Sequence, residues 1–252
     1  MDYENIPFDA ISLEISSDFD IAQVSARLWG NAANDAAKTK LKSALLVAQK
    51  GKCAYCRRFI RNEPGHVEID HILPKAAFGN PRNWLSNESA MRKATAGYPS
   101  FTFIPYNLAL SCKRCNNLKG TYDSRSDRSV PVKPVYNLDP EYYNWIHPYL
   151  DKYSDHIILI EGMIYQATNG SEKGVRVIEV CKLDKLAAVE TLAAQIKAQN
   201  ARGIGKAIAL LLDNADDYGW DMIADVVQAQ FPEVPFEDIW NRIEIFKNAM
   251  FD

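Results

Sequence analysis

Two short cysteine pairs, Cys53-Ala-Tyr-Cys56 and Cys112-Lys-Arg-Cys115, bracket the string Glu68-Ile-Asp70-His71-Ile-Leu-Pro74, and the second pair runs directly into Asn116. Each C-x-x-C spacing puts two thiolates on one tetrahedral zinc, so both halves together read as a single four-cysteine structural site. Closing that site draws Asp70, His71 and Asn116 toward one another across a long stretch of chain. A carboxylate, an imidazole and a carboxamide held together make a divalent-metal site with a base beside it.

The rest of the 252 residues is ordinary in composition, 47% hydrophobic and 24% charged, enough for one embellished domain or two small ones. No stretch approaches the roughly 18 apolar residues that span a membrane. The acidic start, Met1-Asp-Tyr-Glu-Asn, lacks the pattern of a signal peptide. Five cysteines, four of them in pairs, suit a metal in a reducing compartment better than a disulfide framework, so a cytoplasmic protein is expected. Charge is uneven: residues 51–133 hold 14 Lys+Arg against 6 Asp+Glu, and the remainder 15 against 26. A basic module inside an acidic chain suggests a local polyanion-binding surface.

Residues 1–50 read as an N-terminal helical segment: 1–18 give little periodic signal, and from about Asp20 to Gln49 the residues Ile21, Val24, Leu28, Leu41, Leu45 and Val47 recur at helical spacing, with a break near Gly30-Asn31 or Asn34-Asp35 and a stop at Gly51. The cysteine-rich module follows over 51–122, with strands at His66–Asp70 and Phe101–Ile104 and a helix from Cys112. The polar stretch 79–100 reads as an inserted surface loop. Residues 123–140, rich in Ser, Asp, Arg and Pro, read as a linker. Region 141–252 is mixed and then helical: strands at His156–Glu161 and Gly174–Val180 about an Asn169-Gly170 turn, then helices over Leu183–Asn214, Asp217–Gln230 and Pro235–Phe251.

Taken together, Cys53-x-x-Cys56, Asp70-His71-Ile-x-Pro74, Tyr106-Asn107-Leu108-x-Leu110 and Cys112-x-x-Cys115-Asn116-x-x-Lys119 resemble the HNH endonuclease family, in the subtype whose ββα-metal core is stapled by a four-cysteine zinc. The resemblance covers residues 53–120. It implies an α+β fold with flanking helical segments, a structural Zn²⁺ on Cys53, Cys56, Cys112 and Cys115, and a catalytic Mg²⁺ or Mn²⁺ on Asp70 and Asn116. His71 matches the general base, and an unperturbed imidazole titrates near neutral pH as that task requires. Asn107 matches the residue that pins the loop and so orients His71. The implied reaction is phosphodiester hydrolysis in DNA, with His71 taking a proton from the attacking water. The separation of His71 and Asn107 exceeds that of the compact motif, in keeping with an insertion near 79–100. The flank Ile146–His156, with Val177-Ile-Glu-Val180 and Leu183-Asp-Lys-Leu186, is similar to HNH proteins of bacterial anti-phage systems of the Septu type, which implies a partner ATPase.

Other readings stay open. A zinc ribbon without catalysis explains the cysteines but not Asp70, His71 or Asn116; a catalytically inactive zinc-containing nucleic-acid-binding or interaction module is therefore the alternative function. Arg57, Arg58, Lys113, Arg114 and Lys119 are candidates to grip phosphates, against a plain solvated face. Glu68, on the same strand face as Asp70, is expected to pair with a local arginine. Cys181 reads as a buried apolar residue, and His147 and His156 as packing among tyrosines. The acidic helices 183–251 serve either as a docking surface or as part of the core.

Overall fold

The computed structural model describes residues 4–7, 13–63, 65–160, 164–186, 205, 208, 211 and 219–251. The chain divides into two compact units, residues 1–158 with 166–181, and residues 159–165 with 182–252. The fold is α+β: helices with two small two-stranded sheets.

In the first unit, α1 (Leu13–Val24) and α2 (Asp35–Ala48) lead into the cysteine module. Their core faces are Ile15, Phe19 and Ala22 on α1 and Ala37, Leu41 and Leu45 on α2, each set at helical spacing. Of the apolar residues expected to make that stripe, Ile21, Val24, Leu28 and Val47 are exposed. The buried stripe on α1 includes the small Ala22, which a scan for large residues passes over. Helix α2 closes on Lys50, at φ +50, whose N donates to Val47 O at 3.0 Å while Gly51 N donates to Leu46 O at 2.8 Å, so the left-handed stop falls one residue before the expected glycine, itself at φ +66.

Strand β1 (Val67–His71) pairs antiparallel with β2 (Leu108–Cys112), placing Val67 opposite Cys112, Asp70 opposite Ala109 and His71 opposite Leu108. Helix α3 (Lys113–Lys119) follows β2 at once. The buried Gln49 side chain extends the sheet edge: its Nε2 donates to Leu110 O at 3.0 Å and its Oε1 accepts from Leu110 N at 2.9 Å. The second strand is thus 108–112 and not Phe101–Ile104. Pro99 and Pro105 each open a 3-10 turn there, and neither has an N–H to give to a ladder.

The excursion between the strands is tied down from within. Arg128 Nη2 donates to Asn83 O and Trp84 O at 3.1 and 2.6 Å, and Arg92 donates to Asp123 O and Ser126 O at 3.2 and 3.0 Å. Asp123, Ser124, Arg125 and Arg128 are buried, so the start of 123–140, expected as a linker, is interior to the first unit. A run of polar residues reads as solvated, yet a guanidinium carries five donors that backbone carbonyls can satisfy.

Strands β3 (Ile157–Ile160) and β4 (Ile164–Ala167) form the second sheet, and Asn169-Gly170 turns at positive φ as expected. Residues 172–180, expected to be strand from Gly174 on, are helix α4 (Glu172–Val180). Ser171 Oγ caps it by accepting from Gly174 N at 3.2 Å. A Cβ on Gly174 would lie 2.1 Å from His156 O, so the glycine serves a close approach of backbone. In the second unit, α5 (Trp220–Gln230) and α6 (Phe236–Phe251) pack together through an exposed turn. Of the helix expected over 183–214, Leu183–Leu186 is helical and most of the remainder lies outside the described residues.

Candidate active site

The first knuckle sits on the turn after α2, and the second joins the end of β2 to the start of α3. Ala54 N donates to Leu110 O at 2.9 Å and lays the first knuckle on β2, and the sulfurs of Cys53, Cys56, Cys112 and Cys115 lie within 4.8 Å of one another. Cys56 and Cys112 Sγ are 3.9 Å apart, and no disulfide joins them. Zn–S bonds of about 2.3 Å in a tetrahedron place sulfurs about 3.8 Å apart. Backbone N–H groups point at the sulfurs, Cys112 N and Tyr55 N to Cys53 Sγ at 3.3 and 3.5 Å and Cys115 N to Cys112 Sγ at 3.5 Å, as suits thiolates. The cluster is fit to hold a metal such as zinc. Among the described residues it is the one group of three or more such ligands.

Both knuckles reach Asp70. Tyr55, between the first two cysteines, donates its hydroxyl to Asp70 Oδ2. Lys119, four residues beyond Cys115, stands 3.0 and 3.3 Å from the two carboxylate oxygens and donates to His71 O at 2.7 Å. Lys119 is fully buried. Burial raises the Asp70 pKa, while Lys119 and the Tyr55 hydroxyl pull it back. Lys119, read from sequence as a phosphate contact, is thus spent on the protein's own carboxylate. Arg57 is also buried, stacked 4.2 Å from the Tyr153 ring and donating to Glu4 O at 3.3 Å, so it too is held inside. Lys113 is exposed, and Arg58 and Arg114 are half-buried.

His71 ends β1 with its ring wedged edge-on against Trp29, centroids 4.6 Å apart. Its Nε2 lies 3.1 Å from Thr102 O, which can only accept, so Nε2 carries the proton and Nδ1 is the basic nitrogen. Burial, and then the positive charge of Lys75, bring its pKa down to about 3. The imidazole is therefore neutral at pH 7, and its environment overrides the near-neutral titration expected from the residue type. Asn107, fully buried, fixes the turn that follows: Oδ1 accepts from Leu73 N at 2.7 Å, and Nδ2 donates to Leu73 O and Phe101 O at 3.1 and 3.0 Å.

Asp70, His71 and Asn116 line one cleft of about 540 Å³, together with Lys75, Phe78, Asn117 and Thr121. Asn116 Nδ2 donates to Glu68, so the carboxylate expected to meet an arginine meets the amide of α3. The oxygens of Asp70, Glu68 and Asn116 suit a hard cation in kind, while the cation that holds Asp70 here is Lys119. Sequence reasoning passed over Lys75, Tyr55 and Trp29. Lys75 was legible as the basic residue next to Pro74; the other two depend on the fold.

The fold and the cleft define a small α+β module with a four-cysteine cluster fit for a metal and a buried Asp-His pair. Comparison with known proteins agrees with a link to the Septu type: over 182 residues, 72% of this chain, it is 28% identical to Septu protein PtuB of Bacillus thuringiensis, covering 53% of that protein. Over 146 residues, 58% of this chain, it is 29% identical to Septu protein PtuB of Bacillus mycoides (strain KBAB4), covering 47% of that protein. The chain thus spans about half the length of the curated relatives it matches. No protein-family model and no solved structure matches it. No helix of the described residues is long and apolar enough to cross a membrane.

Proposed function

We propose that this chain is a metal-dependent HNH endonuclease, hydrolysing phosphodiester bonds of DNA as the effector of a Septu-type anti-phage system. The observation that carries the reading is the cleft shared by Asp70, His71 and Asn116 beside a four-cysteine cluster. Cys53, Cys56, Cys112 and Cys115 hold a structural Zn²⁺. Asp70 and Asn116 hold a catalytic Mg²⁺ or Mn²⁺, which supplies Lewis-acid stabilisation of charge on the phosphate. His71, neutral and anchored through Nε2, offers Nδ1 to accept the proton of the attacking water. Asn107 keeps that imidazole in place by fixing the backbone of Leu73. Lys75, exposed on the wall of the cleft, attracts the phosphate, with Lys113, Arg58 and Arg114 as further cationic contacts. The Septu relatives support a role in defence; the partner ATPase is what the sequence resemblance implies, and co-purification of the two would test it.

A second reading, a zinc-containing nucleic-acid-binding module without chemistry, draws on the fact that Lys119 and Tyr55 already fill the Asp70 carboxylate. Plasmid nicking decides between them. Cleavage with Mg²⁺ or Mn²⁺ that is lost with chelator and in His71→Ala supports the nuclease; DNA binding with no nicking under any divalent ion supports the module.

A further inference from the structure

Asn107 is held from a second side by residues outside the 53–120 motif. Tyr136 Oη lies 3.3 Å from Asn107 Oδ1 and 3.0 Å from His147 Nε2, and His147 Nδ1 lies 3.3 Å from Tyr149 N. Asn107 and His147 are fully buried and Tyr136 nearly so. We infer that Tyr136 and His147 are positioning residues for the Asp70–His71 turn, acting through Asn107 in a hydrogen-bonded chain whose direction is fixed at both ends.

The direction follows from the groups at the ends. Tyr149 N is a backbone donor, so His147 Nδ1 must accept, and the neutral ring then carries its proton on Nε2. Nε2–H donates to Tyr136 Oη, which leaves the phenolic hydrogen for Asn107 Oδ1. At the other end, Leu73 N is also a backbone donor, so Asn107 must present its oxygen there and its amide hydrogens to Leu73 O and Phe101 O. This arrangement satisfies every member, as a buried polar network requires. Burial keeps the His147 imidazole neutral, with a pKa near 3. Tyr143, the neighbouring phenol, donates its own hydrogen to Asn137 O at 2.6 Å, and its oxygen is a second acceptor beside Tyr136, whose hydroxyl reaches Asn107 Oδ1 at 3.3 Å.

The far end of the chain is anchored. Asp151 Oδ2 accepts from His147 N at 2.7 Å, and the same carboxylate binds Lys173 of α4 at 2.8 and 3.0 Å. Segment 136–151 and α4 therefore set the placement of Asn107, and through Leu73 and Ile72 that of His71 two residues earlier. Ile72 N donates to Asn107 O at 2.8 Å, closing the link.

The kinetic part of this inference rests on the nuclease reading; the spectroscopic part does not. In the zinc-loaded full chain, nitrogen-15 NMR of the four histidine rings should show neutral Nε2–H tautomers at both His71 and His147, and only the His147 signal should disappear in His147→Gln. Tyr136→Phe should keep its zinc and melt cooperatively, yet the Asn107 side-chain amide should exchange with solvent about tenfold faster. With DNA, Tyr136→Phe should lower kcat about tenfold and leave KM near the wild-type value, the pattern of a lost support behind a reacting group. An Nδ1–H tautomer at His147 overturns the inference, as does a Tyr136→Phe protein with wild-type Asn107 exchange. Should wild type cut no DNA, the nuclease reading falls while the tautomer and the exchange rate still decide the chain.

Discussion

Lys119 and Asp70 show how one buried pair joins the metal cluster to the cleft. An ammonium and a carboxylate removed from water gain little net stability together, because desolvation offsets their attraction, but either one left alone is costly. Lys119→Met should therefore destabilise the zinc-loaded protein by about 3–5 kcal/mol in denaturant unfolding. A midpoint equal to wild type would show that Asp70 finds other partners. The two buried histidines make a pH prediction. His71 and His147 are held near pKa 3, below the roughly 6.5 of the unfolded chain. Their neutral forms are favoured by folding, so this contribution is complete above about pH 6.5. It declines as pH falls from there toward 3, because the unfolded state takes up the protons first. Each histidine should steepen the loss by up to about 1.4 kcal/mol per pH unit, read as urea midpoints between pH 7 and 5. A His147→Gln protein with the wild-type slope would contradict it.

At the scale of elements, the cysteine cluster acts as the joint of the β1–β2–α3 unit. Cys112 ends β2 and its sulfur caps α3, while Cys53 and Cys56 bind the loop that carries Tyr55 to Asp70. Removing the proposed zinc should release both knuckles at once, since the metal closes the chain between residues 56 and 112. A strong chelator, or Cys56→Ser, should cost helix and strand signal by circular dichroism together with all cleavage. Full retention of secondary structure at zero zinc would mean the hairpin holds itself. Legibility at this scale was uneven. The break between α1 and α2 was marked by local residues, and Gly51 marked the end of α2 to within a residue, the left-handed turn itself falling on Lys50. Helix α4 was not, because Val175, Val177 and Val180 favour strand on propensity, while the Ser171 cap and the approach of His156 to Gly174 settle it as helix.

For the whole molecule, every residue assigned to the cleft and the cluster lies in the first unit, and α5 and α6 lie in the second. Deleting residues 215–252 should therefore leave a soluble protein with one zinc, a cooperative melt and wild-type nicking, while any partner that docks on those helices is lost. Global unfolding of the truncation would place the helices in the stability core of the whole chain and end the docking idea. Of the basic stretch 51–133, Lys75, Arg82, Lys93, Lys113 and Lys133 stay exposed, so the proposed DNA binding should weaken as salt rises through these residues and not through the buried cations.

The sequence by itself determined the chemistry that could meet: two thiol pairs at metal spacing, an Asp-His dipeptide before a proline, and Asn107 and Asn116 flanking the second pair. Those are short-range patterns, and a single closing contact converts them into a site. The tertiary structure alone decided where each charge and hydrogen bond goes. Lys119 and Arg57 read as phosphate contacts, and Arg92, Arg125 and Arg128 fall in stretches that read as a surface loop and a linker, yet all five are buried. Burial is set by every segment that folds over a residue, and the partners that make it tolerable, such as Asp70 for Lys119 or Ala94 O for Arg128, lie tens of residues away along the chain.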